Sequence, residues 1–516
     1  MTTCDPLNTL ENPIFRRLMK SSVNAINIRR LGSRLQEQVS GVEESGPDVT
    51  VTGLCGDSRR VSPGDLFVSP PGDVPRCSLY IKEALERGAV AVLSDGRVAD
   101  LSPGVAAILV QDVRKAKASV ACEFFGHPSS RLRLIGITGT NGKTTTAFML
   151  RSILTMNGDC PGVLGTLGAY LGSDHEPLVH TTPDSIDLQH YLARMVDANL
   201  STVVLEVSSH ALDQYRVYGT QFNCGVFTNL STDHLDYHRT MEEYANAKAR
   251  LFRDLPSDSV AVLNGGDPLS DLFEEVTSAR TIRYALDQDG DIRGEVSRLD
   301  DQGTVLSIQQ SEKSLAMACT LRFVGRHNAM NALAAASAAL ALGLPPTAIR
   351  TGLESLSAVP GRLEPVDCGQ DFRVFVDYAH TPDALDNVVG HLSSLTQRKL
   401  HVVFGCGGNR DRTKRPLMAA SVASGADYLY VTSDNPRDED PEVILDEVFD
   451  GIPHEKRGET YRIVDRKEAI LAACSAAEGG DIVLIAGKGH ETTQTIGGEA
   501  IPFDDRTVAR EILWSL

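Results

Sequence analysis

The sequence predicts an α/β protein of three domains, and three observations carry that prediction. They are its length, the regular alternation of short apolar runs with helical patterns, and the polar or glycine clusters in which many of those runs end. At 516 residues the chain exceeds what one hydrophobic core serves, because domains of roughly 100 to 200 residues are usual. With 42% hydrophobic and 23% charged residues it has the balance of a soluble globular protein, which sets aside disorder and fibre.

The N-terminal residues MTTCDPLNTLENPIFRRLMK read as an extension, residues 1–25, with no continuous apolar stretch to serve as a signal peptide. Residues 26–131 form a small α/β domain, in which runs such as AVAVLSD and AAILVQDV alternate with helical stretches such as KEALERG. HPSSRLR is a polar connection, after which LIGIT opens a second domain, residues 132–358. Its runs STVVLEVSS, CGVFTNLS and SVAVLNGGD are nearly continuous in apolar residues, the pattern of a mostly parallel sheet covered on both faces. Residues 359–516 repeat the scheme with RVFVDYAH, KLHVVFGCG, DYLYVTSD and DIVLIAGKG, a Rossmann-like sheet. Each of these four runs ends in a polar or glycine cluster, and open α/β sheets bind ligands just beyond strand C-termini.

A formal net charge of -18 repels a nucleic-acid backbone or an anionic membrane unless a basic cluster compensates, and none is visible, so neither partner is expected. No window holds about 18 uninterrupted apolar residues. The ten cysteines show no CxxC pair or metal-ligand spacing and read as reduced thiols of a cytoplasmic protein.

The strongest motif follows LIGIT: Gly139-Thr140-Asn141-Gly142-Lys143-Thr144-Thr145, then a helical stretch. Strand, glycine-rich turn, GKT and helix are the setting of a phosphate loop, in which backbone N–H groups face phosphate oxygens. Lys143 then meets the β/γ-phosphates and Thr144 holds magnesium. The spacing departs from GxxxxGK[ST], since Ile137 stands where the first glycine would be. Glu206, at the end of VVLE, is a carboxylate placed to bind magnesium, a hard cation that prefers oxygen ligands. Taken alone, His234 and His238 read as ordinary loop histidines, and Lys248 reads as a surface lysine.

These residues do not stand alone. TGTNGKTTT, EVSSHAL, TNLSTDHLDYH, YANAKARLF, GRHNAMNALAA, VPGRLE, DYAHTPDAL and FGCGGNRDRTKRP occur in this order, and together they resemble the Mur ligase family over residues 50–510. The resemblance implies a central P-loop ATPase domain. Within the family, SDNPRDEDP and GKGHE are similar to the branch that adds meso-diaminopimelate. That acceptor carries a carboxylate and an ammonium at its far end, where lysine has only the ammonium. Arg412 and Arg437 are expected to clamp the carboxylate, with Glu491 paired to the ammonium. Asp434, Asn435, Pro436 and Gly487 belong to the same expected acceptor site.

The resemblance further implies that Lys143 and Thr144 meet ATP and magnesium, and that Glu206 and His234 bind magnesium. It also implies that Lys248 is carbamylated, becoming an anion suited to hold a second metal. Asn331, Arg362 and Asp377 would contact the adenine, phosphate and ribose regions of ATP. UDP-N-acetylmuramoyl-L-alanyl-D-glutamate would lie against Thr181, Thr182, Ser208, Gln214 and Arg216, with Ser58 at its uridine end. One departure from the family pattern is DVPRC, residues 73–77, where a His- and Gly-containing loop is usual.

The implied reaction is attack of the D-glutamyl γ-carboxylate on the γ-phosphate of ATP, giving an acyl phosphate that the diaminopimelate amine converts to an amide. It needs no protein nucleophile, and no GxSxG or Cys/His constellation is present. Domain closure about a hinge near residues 355–362 would bring the reactants together, in a monomer. The rival readings are the same ligase using L-lysine, a folate polyglutamate ligase, and a P-loop nucleotide-binding regulator without ligase activity.

Overall fold

The computed structural model describes residues 25–72, 74–95, 105–300, 303–310, 315–396 and 398–516. The expected N-terminal extension, except residue 25, and Asp73 of the DVPRC loop lie outside the described residues. Three larger sheets follow one another along the chain. The first has five strands, β1 (Glu43–Ser45), β2 (Gly53–Cys55), β3 (Asp65–Val68), β4 (Ala91–Ser94) and β5 (Ala106–Leu109), in the order β1-β5-β4-β3-β2. Only the β1–β5 pair is antiparallel.

The second sheet has eleven strands, β6 (Arg133–Thr138), β7 (Gly162–Gly165), β8 (Gly168–Leu171), β9 (Asp174–Glu176), β10 (Thr202–Glu206), β11 (Cys224–Phe227), β12 (Val260–Asn264), β13 (Arg280–Leu286), β14 (Ile292–Asp300), β15 (Gly303–Gln310) and β16 (Leu315–Leu321). Their order is β9-β8-β7-β10-β6-β11-β12-β13-β14-β15-β16. From β7 through β14 every pairing is parallel, whereas β8, β9, β15 and β16 join as antiparallel hairpins at the two edges. The strand that carries the phosphate loop, β6, is therefore a central one, and β10, which carries Glu206, lies directly beside it with Glu206 opposite Ile137.

Three helices build the core against one face of this sheet. Helix α1 (Lys143–Met156), α2 (Arg326–Ala341) and α3 (Pro346–Ser355) pack on each other. The Ala-rich α2 is buried along most of its length and lies beside the buried Leu150 and Ile153 of α1 in one hydrophobic cluster. Small side chains let the helix axes approach closely while the burial of their neighbours supplies the stabilising area.

The third sheet comprises β17 (Glu364–Pro365), β18 (Arg373–Asp377), β19 (Leu400–Cys406), β20 (Tyr428–Ser433), β21 (Thr460–Arg462) and β22 (Ile482–Ala486), ordered β17-β18-β22-β19-β20-β21. All pairs but β17–β18 are parallel. Helices α4 (Pro382–Leu395), α5 (Lys414–Ala423) and α6 (Pro441–Phe449) cover it. A short antiparallel hairpin, β23 (Thr493–Ile496) and β24 (Glu499–Pro502), stands outside the sheet.

Between the second and third sheets the chain makes a tight turn in which Gly361 and Leu363 both have positive φ, 65° and 43°. Arg362 N–H donates to the Val359 carbonyl at 3.0 Å, and Leu363 N–H donates to Asp377 at 2.7 Å. Among the described residues all nine cysteines are free, and no helix is long and apolar enough to cross a membrane.

Candidate active site

The first turn of α1 opens on Gly142, whose φ of 85° and lack of a side chain leave the helix without a side-chain cap. Its first N–H groups are thus free for an anion, and the helix dipole favours one. A Cβ on Gly142 would fall 2.2 Å from Asn331 Oδ1, and one on Gly139 would fall 1.9 Å from Thr228 Oγ1. Both glycines are therefore required by close approach as well as by backbone conformation. Thr144 on α1 donates from its hydroxyl to Glu206 Oε2 at 2.9 Å, and Glu206 also accepts from Thr166 N–H at 3.0 Å and the Thr166 hydroxyl at 3.1 Å. The Glu206 side chain is fully buried. A hydroxyl beside a fixed carboxylate is a hard-oxygen donor pair of the kind magnesium takes.

Lys143 Nζ donates to the carbonyls of Gly139 and Thr140, each at 2.9 Å. Lys248 is not a surface residue: it is 1% exposed, its ammonium reaches the Gly139 carbonyl at 2.9 Å, and Nζ lies 4.5 Å from the Tyr244 ring centroid. The helix Met241–Arg253 turns it inward beside buried Ala245 and Ala249. Burial lowers the Lys248 pKa well below the usual lysine range, and neighbouring Lys143 lowers it further against the pull of Asp233. As an ammonium, Lys248 cannot hold a metal.

His234 sits at positive φ, 53°, with its imidazole half-exposed, 3.4 Å from Asp233 and at 4.8 Å centroid distance from His210. Burial holds its pKa down at about 4 against the opposing Asp233 charge, so the ring is neutral at pH 7 and has a lone pair to give. Among the described residues no three His, Cys, Asp or Glu side chains converge on one point.

A cavity of about 750 Å³ runs from the phosphate loop across to the third sheet. Asn331, Arg362 and Asp377 all line it. Arg362 donates to Thr144 Oγ1 at 3.4 Å and stacks on Tyr378, 4.8 Å from the ring centroid. Both Asp377 oxygens accept backbone N–H groups, from Leu363 and from Ala379.

Three residues that the motifs did not single out tie the two sheets together here. Asp383, on α4, accepts from Asn141 Nδ2 at 3.1 Å and from the Ser231 hydroxyl at 2.7 Å, while Lys414 Nζ lies 3.3 Å from Asp233. Ser231 and Asp383 fall inside quoted motifs, but only the fold brings them together.

Thr181 and Ser208 line the same cavity. Arg216 donates to the Thr182 carbonyl at 2.9 Å and to Gln214 Oε1 at 2.9 Å, joining that group to it. The Thr182 side chain braces this group from within. It is fully buried, donates to the Glu206 carbonyl at 2.8 Å and accepts from Ser208 N–H at 3.0 Å. Ser58 lines a separate cavity of about 640 Å³ in the first domain, where its hydroxyl donates to Glu83 at 2.6 Å.

In the third domain the loops after β19, β20 and β22 meet. Asn435 Nδ2 and Lys488 Nζ each donate to Glu491 Oε2 at 2.9 Å, and Gly487 N–H donates to the Asp377 carbonyl at 3.1 Å. Asp434 is buried beside Arg466, with desolvation raising its pKa. The Pro436 carbonyl accepts from Glu439 N–H at 3.1 Å, closing the loop. Arg437 Nη1 donates to the Gly408 carbonyl at 2.6 Å and lies against Gly407.

The expected partner of Arg437 is corrected. Both arginines of the turn are exposed, but Arg412 forms a two-point ion pair with Glu447 on α6, whereas the Arg410 side-chain stem lies by Gly407, where Arg437 also lies. The two arginines are separated by one residue in NRDRT, and the turn after β19 sends them to different neighbours.

Two family models match the chain, the Mur ligase middle domain over residues 137–339 and the Mur ligase glutamate ligase domain over residues 361–489. The chain belongs to the Mur ligase family. It is an ATP-dependent ligase. It is 44% identical over 470 residues to UDP-N-acetylmuramoyl-L-alanyl-D-glutamate–2,6-diaminopimelate ligase of Geobacillus thermodenitrificans, covering 90% of this chain and 94% of that one. To the protein of the same name in Bacillus licheniformis it is 41% identical, over 95% of this chain and 100% of that one. A solved structure of a UDP-N-acetylmuramoyl-L-alanyl-D-glutamate–2,6-diaminopimelate ligase superposes with a TM-score of 0.65 at 34% identity, covering 90% and 95% of the two chains. The fold is also that of MurF from Acinetobacter baumannii, with a TM-score of 0.61 at 18% identity over 88% of this chain and 94% of that one.

Proposed function

We propose that this chain joins the γ-carboxylate of the D-glutamate in UDP-N-acetylmuramoyl-L-alanyl-D-glutamate to an amine of meso-diaminopimelate, with ATP converted to ADP and phosphate, in the cytoplasm. The observation that carries the acceptor's identity is the pair Arg437 and Arg410 against Gly407, on the same side of the domain as Asn435 and Glu491. Two guanidinium groups suit a carboxylate at the far end of the acceptor, and Glu491 and Asn435 suit the ammonium beside it. The names of the relatives at 40% identity and above support the same substrates.

The carboxylate oxygen attacks the γ-phosphorus, the bond to ADP breaks, and an acyl phosphate forms. The amine then adds to its carbonyl carbon, loses a proton and expels phosphate. Lys143 offsets charge on the transferring phosphate, and the free N–H groups at the start of α1 hold its oxygens. Arg362, stacked on Tyr378, binds a phosphate oxygen from the third domain's side. Asn331 and Asp377 flank the adenosine part. Thr181, Thr182, Ser208, Gln214 and Arg216 orient the dipeptide, Thr182 through its backbone, and Ser58 lies at the uridine end.

Thr144, Glu206 and His234 would hold magnesium, with Lys248 joining them as its carbamate, and the metal would withdraw charge from the phosphates. A buried lysine with a strongly depressed pKa supports that modification, because only a neutral amine combines with carbon dioxide. Residues 355–362 are proposed as the hinge between the second and third domains.

The test is the mass of the product. Incubation with ATP, magnesium, the UDP-linked dipeptide and meso-diaminopimelate should yield the dipeptide substrate plus one diaminopimelate less one water. Release of phosphate with no such adduct would refute the assignment.

A further inference from the structure

The hairpin β23–β24 has no evident place in the core. All four residues of β24 are exposed, as are Thr493 and Ile496 of β23, and an isolated two-stranded hairpin is at best marginally stable in water. Its inner strand is instead bonded, residue by residue, to the loop after β20. Gln494, 8% exposed, donates from Nε2 to the Asp434 carbonyl at 2.7 Å, and Thr495 N–H donates to Asn435 Oδ1 at 2.9 Å. Arg437 N–H donates to the Thr495 carbonyl at 2.9 Å, and Gly497 N–H donates to the Arg437 carbonyl at 2.7 Å. The last two bonds grip both sides of one residue.

That residue is in a conformation it would not keep unaided. Arg437 has φ of 54°, the left-handed region that costs a non-glycine residue roughly 1 kcal/mol or more. Strain of this kind persists only where surrounding structure over-determines it. Here the over-determining structure is the hairpin, which acts on Arg437 through backbone bonds and on Asn435 through its side-chain oxygen.

We infer that the segment Gln494–Gly497 is the positioning element for acceptor recognition: it holds Arg437 in the left-handed conformation that aims the guanidinium at the acceptor carboxylate, and holds Asn435 toward Glu491. The inference rests on the diaminopimelate reading above. Its consequence is that acceptor selectivity depends on residues that do not touch the acceptor. The turn of the hairpin, Gly497-Gly498, has φ of 57° and 81°, values that a β-branched residue adopts poorly.

Two variants test it, Gln494→Ala and the double variant Gly497→Val/Gly498→Val, measured by phosphate release with each substrate varied in turn. KM for meso-diaminopimelate should rise about tenfold in either, the scale of one or two lost hydrogen bonds. KM for ATP and for the UDP-linked dipeptide should stay within about twofold of wild type, and the preference for diaminopimelate over L-lysine should shrink. An unchanged KM for diaminopimelate in Gln494→Ala, or an equal rise in all three KM values, would overturn the inference. If the double variant does not fold, the single variant decides. A wild-type enzyme that makes no use of diaminopimelate would instead overturn the proposed function, so the two failures are distinct.

Discussion

Lys143 and Lys248 both donate to one oxygen, the carbonyl of Gly139, each at 2.9 Å. Two ammonium groups sharing one acceptor in a buried setting oppose each other's charge, and burial lowers both pKa values. Relief comes if Lys248 becomes an anion. With ¹³C-labelled bicarbonate the wild-type protein should therefore show a carbamate carbon resonance that Lys248→Ala lacks, and that variant should lose turnover on the order of 100-fold. Wild-type protein without such a signal under turnover conditions would remove Lys248 from the metal set.

The arginines after β19 and β20 separate by partner. Arg437→Ala and Arg410→Ala should each raise KM for diaminopimelate on the order of tenfold or more, because each removes a charged hydrogen-bonding group proposed to meet the acceptor carboxylate. Arg412→Ala, which removes only the exposed pair with Glu447, should change it less than about twofold. Initial rates across a diaminopimelate titration check all three, and an Arg412 effect as large as that of Arg410 would return Arg412 to the acceptor site.

Glu206 accepts from Thr144 and from both donors of Thr166. Glu206→Gln keeps the shape but replaces the charge, and one of its oxygens becomes a donor facing donors. Turnover should fall on the order of 10³-fold, with a smaller change in Tm than Glu206→Ala produces. Rate and thermal melts on the two variants measure this.

His190, His391 and His490 are each lowered from 6.5 to about 4, chiefly by burial. The unfolded chain binds protons at these sites between pH 6.5 and 4 while the folded one does not. Their contribution to stability is complete above about pH 6.5 and is lost as pH falls toward 4, roughly 1 kcal/mol per histidine at pH 5 after allowance for partial exposure. Tm should drop between pH 7 and 5, and His391→Gln, which cannot titrate, should drop less relative to its own value at pH 7.

The fold class and the phosphate-loop motif were legible in the sequence. The phosphate loop could be read because strand, glycines and helix are contiguous, and the parallel strands because doubly covered strands are apolar throughout. Lys248 alone reads as a surface residue, since nothing local says that its helix faces inward; only the family resemblance carried it into the site. Arg412 is the arginine the sequence reading names, and Arg410 is not considered there, because sequence spacing does not say which way a turn aims a side chain. The edge hairpins and the separate hairpin β23–β24 carry no such signal, because short exposed strands lack the apolar run of central ones. Asp383 and Asn141 stand 242 residues apart, and their contact is a product of domain packing.

The central claim is that acceptor chemistry is set by the arginines beside Gly407. The most direct measurement is phosphate release with ATP, magnesium and UDP-N-acetylmuramoyl-L-alanyl-D-glutamate, comparing meso-diaminopimelate, L-lysine and no acceptor in wild type and in Arg437→Ala. Turnover with diaminopimelate alone in wild type, lost in the variant, is the expected result. Equal turnover with L-lysine, or phosphate release that needs no acceptor, would contradict it.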